Sequence, residues 1–225
     1  MEKRTRRYDG VIFDLDGTLL DTLDDLTDSL NAVMRQYQYS EYSREEVKGF
    51  VGNGIRKLIE RAIPNGCSNP EYEAVHQTFL QYYGEHCMDK TAPYPGLISL
   101  LEVLKKEQYG LAIVSNKADF AVKKLNHLYF GEQIQTAIGA KDGIRKKPAP
   151  DTVFQALEEL GMEADRVVYV GDSDVDIETA KNAGMDVIAV AWGFRSKEFL
   201  LAHGAQEKNL AESAEELKEL IETGK

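Results

Sequence analysis

The chain has 225 residues, 43% hydrophobic and 29% charged, which suits a soluble globular protein with one good core and a smaller second domain. Its formal net charge of −11 argues against general binding to nucleic acid or an anionic membrane, so an anionic substrate would have to be drawn in by local cations. No apolar stretch is long enough to span a bilayer.

The N-terminus is basic at Lys3, Arg4, Arg6 and Arg7. No apolar segment follows, so it does not read as a signal peptide. The two cysteines, Cys67 and Cys87, form no zinc or redox spacing. They read as reduced thiols of a cytoplasmic protein, with a pairing left open. The first apolar run, Val11-Ile12-Phe13, has the composition of a buried strand. It stops at Asp14, with Asp16, Gly17 and Thr18 directly behind. Charges at the end of a buried strand cost desolvation unless a cation or donor meets them. In an open α/β sheet, ligands bind in the crevice outside the carboxyl ends of the strands. Asp14 and Asp16 therefore read as the centre of a reaction site rather than as a solvated turn.

From Leu23 to Tyr37 apolar residues recur at helical spacing. Ser43 followed by Glu46 is a capping-box signature. Gly52-Asn53-Gly54 is a turn, and Ile55 to Ile63 is helical up to Pro64. After a loop through Pro70, Glu71 to Met88 predicts a long helix. No strand signal appears between about Leu19 and Pro93. The stretch reads as an all-helical insertion of roughly 65 to 70 residues, because each amphipathic helix needs a partner for its apolar face.

Strands and helices then alternate. A helix over Leu97 to Lys106 precedes the strand Leu111 to Val114, which ends at Ser115-Asn116-Lys117. A helix over Phe120 to Leu128 and a short strand Thr136 to Ile138 follow. The loop Lys146-Lys147-Pro148-Ala149-Pro150 leads into a helix over Thr152 to Leu160, closed by Gly161. The strand Val167 to Val170 ends at Gly171-Asp172, and a helix over Ile177 to Ala183 ends at Gly184. The strand Val187 to Val190 runs into Trp192-Gly193. Helices near Phe199 and from Glu215 to Ile221 close the chain. This alternation predicts a Rossmann-like parallel sheet with helices on both faces and right-handed crossovers.

Three further strand ends or loops carry polar groups that such a sheet brings to one crevice. Ser115 offers a hydroxyl to a phosphoryl oxygen, or simply ends a strand. Lys147 is a compact cation suited to phosphoryl charge, within a basic loop that also holds Lys141, Arg145 and Lys146. Asp172 and Asp176 suit Mg²⁺, which takes few carboxylates plus waters and phosphate oxygens. Calcium in an EF-hand arrangement fails because Ile177 and Ala183 stand where Gly and Glu are needed. Asp174 is expected to be exposed. No dinucleotide or P-loop fingerprint occurs. His76, His86, His127 and His203 sit at no metal spacing.

Asp14-Leu15-Asp16-Gly17-Thr18-Leu19-Leu20-Asp21-Thr22 resembles the first motif of the haloacid dehalogenase superfamily, in its phosphatase branch. Ser115-Asn116 resembles the second motif. Lys147-Pro148-Ala149-Pro150 resembles the third, which favours Lys147 over Lys146. Gly171-Asp172 followed by Asp176 resembles the fourth. The resemblance implies an α/β core over residues 1–18 and 90–225, interrupted by a helical cap over 19–89. It implies Asp14 as nucleophile forming an aspartyl-phosphate, Asp16 as general acid and base, and Ser115 and Lys147 holding phosphoryl oxygens. Mg²⁺ would be held by Asp14, the Asp16 backbone carbonyl and Asp172, with Asp176 in support or bound through water. Val51-Gly52-Asn53-Gly54 and Leu58 to Ile63 resemble the cap of bacterial phosphoglycolate phosphatases. The expected partner is a small phosphorylated metabolite, touched by Asn116, Gly54 and Arg56, with no nucleic acid and no membrane. Open alternatives are a pyrophosphatase, a sugar-phosphate or broad-specificity phosphatase, or a non-catalytic regulator. The expected state is a monomer or homodimer.

Overall fold

The computed structural model describes residues 6–224, so Lys3 and Arg4 lie outside the described residues. In chain order the elements are β1 (Gly10–Phe13), β2 (Leu20–Asp21), α1 (Leu23–Gln36), α2 (Arg44–Phe50), α3 (Ile55–Ala62), α4 (Tyr72–His86) and β3 (Ala92–Pro93). Then come α5 (Leu97–Lys106), β4 (Gly110–Ala118), α6 (Asp119–Tyr129), β5 (Thr136–Ala140), α7 (Asp151–Leu160) and β6 (Val167–Gly171). The chain closes with α8 (Asp174–Ala183), β7 (Asp186–Val190), α9 (Lys197–Ala202), β8 (Leu210–Ala211) and α10 (Ala214–Thr223). Six strands form a parallel sheet in the order β5-β4-β1-β6-β7-β8.

All four residues of β1 are buried because both faces of the sheet are covered. Val11 and Phe13 pack with Leu101 and Leu104 of α5 and with Leu217 and Ile221 of α10. Ile12 points the other way, into a cluster with Val153 and Ala156 of α7 and Ala180 of α8. This is the α/β sheet expected from the alternation. Among the described residues no helix is long and apolar enough to cross a membrane. Both cysteines are free, Cys67 exposed and Cys87 buried.

Between β2 and β3 the helices α1 to α4 build their own core, in which Leu30, Met34, Phe79 and Tyr83 are buried. Ser43 caps α2 in a full capping box, its backbone N donating to Glu46 Oε2 at 2.8 Å. One residue from the α/β part, Phe194, enters this helical cluster.

The structure corrects the expectation that no strand lies between Leu19 and Pro93. Leu20 pairs with Pro93 and Asp21 with Ala92 in an antiparallel ribbon at the base of the helical segment. Two residues are too few to show alternation, which is also why β8 has no sequence signature. β4 is longer than expected, continuing through Ser115 to Lys117 with a register shift between Val114 and Ala118. α8 starts three residues early because Ser173 and Asp176 form a capping box.

Phe79 is buried wholly within the helical cluster. Phe79→Ala should cost about 3–5 kcal/mol of stability through the lost burial and the cavity left behind. Urea denaturation checks this; a loss below about 1 kcal/mol would mean that the four helices do not form a well-packed core.

Candidate active site

The carboxyl ends of β1, β4 and β6 meet where the sequence placed polar residues. Asp14 N donates to Val170 O at 2.9 Å, which sets the end of β1 against β6. Oxygens of Asp14, Asp172 and Asp176 all lie within 4.8 Å of one another, and all three residues are buried. Lys147 reaches into this group, its Nζ 2.9 Å from Asp14 Oδ1 and 2.7 Å from Asp176 Oδ1. It also donates to the Tyr169 hydroxyl at 3.0 Å. Lys147 is buried and Lys146 exposed, so it is Lys147 that the loop delivers to the carboxylates.

Each aspartate is held differently. Asp172 accepts from Phe194 N at 2.6 Å and from Thr18 Oγ1 at 3.2 Å. Gly17, at φ +84°, and Gly193 are required beside it, because a Cβ at either would overlap the Asp172 carboxylate. Asp176 Oδ2 accepts from Ser173 N at 3.1 Å and Ser173 Oγ at 2.5 Å. Asp14 Oδ1 is buried, and apart from the ion pair with Lys147 no donor is aligned on it.

Burial raises the Asp14 carboxyl to about 7; the ammonium of Lys147 pulls against this, and the charge of Asp176 adds to it. Burial, then the charges of Asp176 and Asp14, push Asp172 well above the usual carboxylate range. Burial works against the Lys147 ammonium, but Asp14 and Asp176 outweigh it and hold the group well above its ordinary value. Three carboxylates thus face one ammonium. The donor set is all oxygen, with one buried oxygen lacking an aligned donor, which fits a hard divalent cation.

Asp16 stands apart from that cluster. Its Oδ1 accepts from Thr22 Oγ1 at 2.7 Å and Lys117 Nζ at 2.8 Å. Lys117 also donates to the Tyr83 hydroxyl of α4 at 2.5 Å and is 4% exposed. Burial works against its ammonium, but Asp16 and Tyr83 outweigh that and hold it above the ordinary lysine value. The sequence reading passed over Lys117 and Tyr83. A lysine directly after Ser115-Asn116 at a buried strand end was the available signal; Tyr83 looks like any residue of an amphipathic helix.

Asp14, Asp16, Ser115, Lys147 and Asp172 all line one cavity of about 50 Å³, whose apolar roof is Leu26, Val51, Ile55, Leu58 and Phe194. Space of that size holds a small molecule rather than a polymer. Ser115 Oγ accepts from Lys117 N at 3.3 Å. Asn116 lies at the seam between the sheet and the helical segment, its Nδ2 donating to Gly52 O at 3.2 Å and Lys147 O at 3.1 Å. Gly54 lines the cavity at the start of α3. Arg56 does not line it: its guanidinium pairs with Glu73 at 2.6 Å on the exposed side of α3. Arg195, which the sequence reading did not single out, does line the cavity. Asp174 is half-exposed, with Oδ1 3.9 Å from Arg195 Nε.

This geometry agrees with what the chain resembles. Residues 11–190 match the family described as haloacid dehalogenase-like hydrolase, and the chain belongs to that family. Within it the chain is a phosphatase, as its relatives indicate. It is 35% identical over 185 residues to the phosphoglycolate phosphatase of Aquifex aeolicus, covering 82% of this chain and 85% of that protein. It is 32% identical over 198 residues to the N-acetylmuramic acid 6-phosphate phosphatase of Pseudomonas aeruginosa, covering 88% of each. A crystal structure from Lactobacillus delbrueckii subsp. bulgaricus, provisionally named a phosphoglycolate phosphatase, superposes with a TM-score of 0.91 at 39% identity over 96% of this chain and 98% of that one.

The crowded carboxylates set a stability test. The Asp14 carboxyl is raised from 3.8 to about 7 in the folded protein, so the native state binds more protons than the unfolded one between those values. Metal-free protein should therefore lose stability as pH rises from about 4 to 7. A divalent cation should restore it. Asp172→Asn should raise the melting temperature of the metal-free protein and abolish the shift produced by the cation. A lower metal-free melting temperature in the variant, with the cation shift retained, would place the ion elsewhere.

Proposed function

We propose that the enzyme hydrolyses a small phosphomonoester in the cytoplasm, with Mg²⁺ as its metal and phosphoglycolate as its preferred substrate. The carrying observation is the buried group of Asp14, Asp172 and Asp176 with Lys147 at the foot of a cavity whose wall also holds Asp16. We assign residues 1–18 and 90–225 to the catalytic core and 19–89 to a cap. The antiparallel β2–β3 pairing supports a junction there.

In this reading a carboxylate oxygen of Asp14 attacks phosphorus, and the ester P–O bond breaks as the aspartyl-phosphate forms. Asp16 gives a proton to the leaving alkoxide. It then takes one from the water that attacks the intermediate, releasing phosphate and free Asp14. Thr22 and Lys117 hold the Asp16 carboxylate in place. Lys147 and Ser115 are placed to hold phosphoryl oxygens. Mg²⁺ would be held by Asp14, the Asp16 carbonyl and Asp172, with Asp176 in support, and would supply charge neutralisation between carboxylate and phosphate. The apolar cap roof excludes water during phosphoryl transfer.

Two observations support a two-carbon substrate: the small cavity and the glycine-framed start of α3, whose free N–H groups suit a carboxylate. The relative from Pseudomonas aeruginosa favours a second reading, a sugar phosphate. Both named compounds carry a carboxylate as well as a phosphate. The sugar phosphate would require the cap to open further.

Asp14→Asn should abolish turnover with the fold intact, because an amide is a poor nucleophile. Rapid quench with labelled phosphoester should trap label on the wild type and none on the variant; label on the variant would overturn the role of Asp14. A panel of phosphorylated metabolites ranked by kcat/KM should place phosphoglycolate above sugar phosphates. The reverse order would select the second reading.

A further inference from the structure

Arg195 takes no part in the chemistry above, yet it stands in the wall of the cavity. It lies in the loop after β7 and reaches across to the cap. Its NH1 donates to Lys48 O and its NH2 to Val51 O, both at 3.1 Å. Those carbonyls sit at the C-terminal end of α2, where backbone acceptors lack helical partners and the helix presents partial negative charge. Both contacts are with neutral groups. The nearest carboxylate oxygen, Asp174 Oδ1, is 3.9 Å from Nε, beyond hydrogen-bond distance. A guanidinium has five N–H donors, so three remain.

The other cations of the cavity are paired with carboxylates. Lys147 is held between Asp14 and Asp176. Lys117 is held by Asp16. Among the described residues that line the cavity, Arg195 is the one cationic side chain with no carboxylate within hydrogen-bond distance. Its side chain is only 18% exposed, so solvent screens it weakly. The two carbonyls also fix the plane of the fork, which lowers the entropy lost on binding a planar anion. The roof beside it is apolar, and Arg56 is engaged with Glu73 outside the cavity.

We propose that Arg195 is the specificity-determining residue of this enzyme, pairing with a carboxylate on the leaving-group portion of a small phosphomonoester whose phosphate lies at Asp14. The inference rests on the phosphatase reading and deepens it. The guanidinium holds cap carbonyls with the same fork, so a substrate carboxylate at Arg195 is tied to the cap as well as to the core.

Phosphoglycolate and ethyl phosphate test this on the full chain with Mg²⁺, because they have the same two-carbon frame and differ in the carboxylate. The readout is the ratio of kcat/KM for the two esters, in which an effect of Arg195 on cap closure common to both cancels. Arg195→Gln removes the charge and leaves an amide donor on a shorter side chain. It should lower the ratio about 30-fold, the range of a lost hydrogen bond to a charged group. Arg195→Ala should lower it as far, and Arg195→Lys should retain part of it. Asn116→Ala, which removes another bond between core and cap, should slow both esters alike. A wild type that prefers phosphoglycolate, with the ratio unchanged in Arg195→Gln and Arg195→Ala, would overturn the assignment and leave the phosphoglycolate reading standing. A wild type that turns over both esters equally would overturn both.

Discussion

The ammonium of Lys147 lies between Asp14 and Asp176, with Asp172 close by. One ammonium cannot offset three buried carboxylates, and burial answers by raising the Asp14 and Asp172 carboxyls. Much of the surrounding structure serves to hold these carboxyls in place. Gly17 and Gly193 let the backbone close on Asp172. Ser173 ties down Asp176 through the cap of α8. The pairing of β1 with both β4 and β6 fixes the strand ends from which Asp14 and Asp172 extend. Under the proposed chemistry a divalent cation would let these carboxyls ionise beside a phosphate.

The helical segment meets this centre through polar contacts as well as through its apolar roof. Tyr83 joins the Lys117–Asp16 pair. Gly52 O accepts from Asn116, and the end of α2 accepts from Arg195. Phe194 adds an apolar anchor, its backbone N bonded to Asp172 while its ring packs among the helices of the β2–β3 segment. A shift of the helices would therefore be felt at Asp16 and Asp172. Under the proposed chemistry these serve the two demands of the reaction, proton transfer and charge.

How far each feature could be read from the chain depended on the range of the interaction behind it. The strand Val11-Ile12-Phe13 ending in Asp14 announces itself because apolar run and charge are adjacent. The capping box of Ser43 and Glu46 spans one helical turn. The sheet followed from alternation, a pattern repeated often enough to survive local exceptions such as the two-residue strands β2, β3 and β8. Lys117 meets Asp16 across 101 positions and Arg195 meets Lys48 across 147. Lys117 is marked only by its place behind Ser115-Asn116, and nothing near Arg195 marks it. The loop choice of Lys147 rested on resemblance, and the structure gives the physical ground: it is buried against carboxylates while Lys146 is exposed. Arg56 had a suitable charge and a suitable position along the chain, but the helical turn carries it to Glu73.

The β2–β3 ribbon brings the two ends of the helical segment side by side. To the sheet, the intervening chain of about 70 residues is a single closed loop, and closure entropy grows only logarithmically with length. Doubling that segment would cost the sheet about 0.6 kcal/mol. The ribbon therefore makes the size of the helical layer nearly independent of the stability of the sheet. The helical layer can grow or shrink at little cost to the sheet so long as the contacts of Tyr83, Gly52 and the end of α2 with the α/β part are kept.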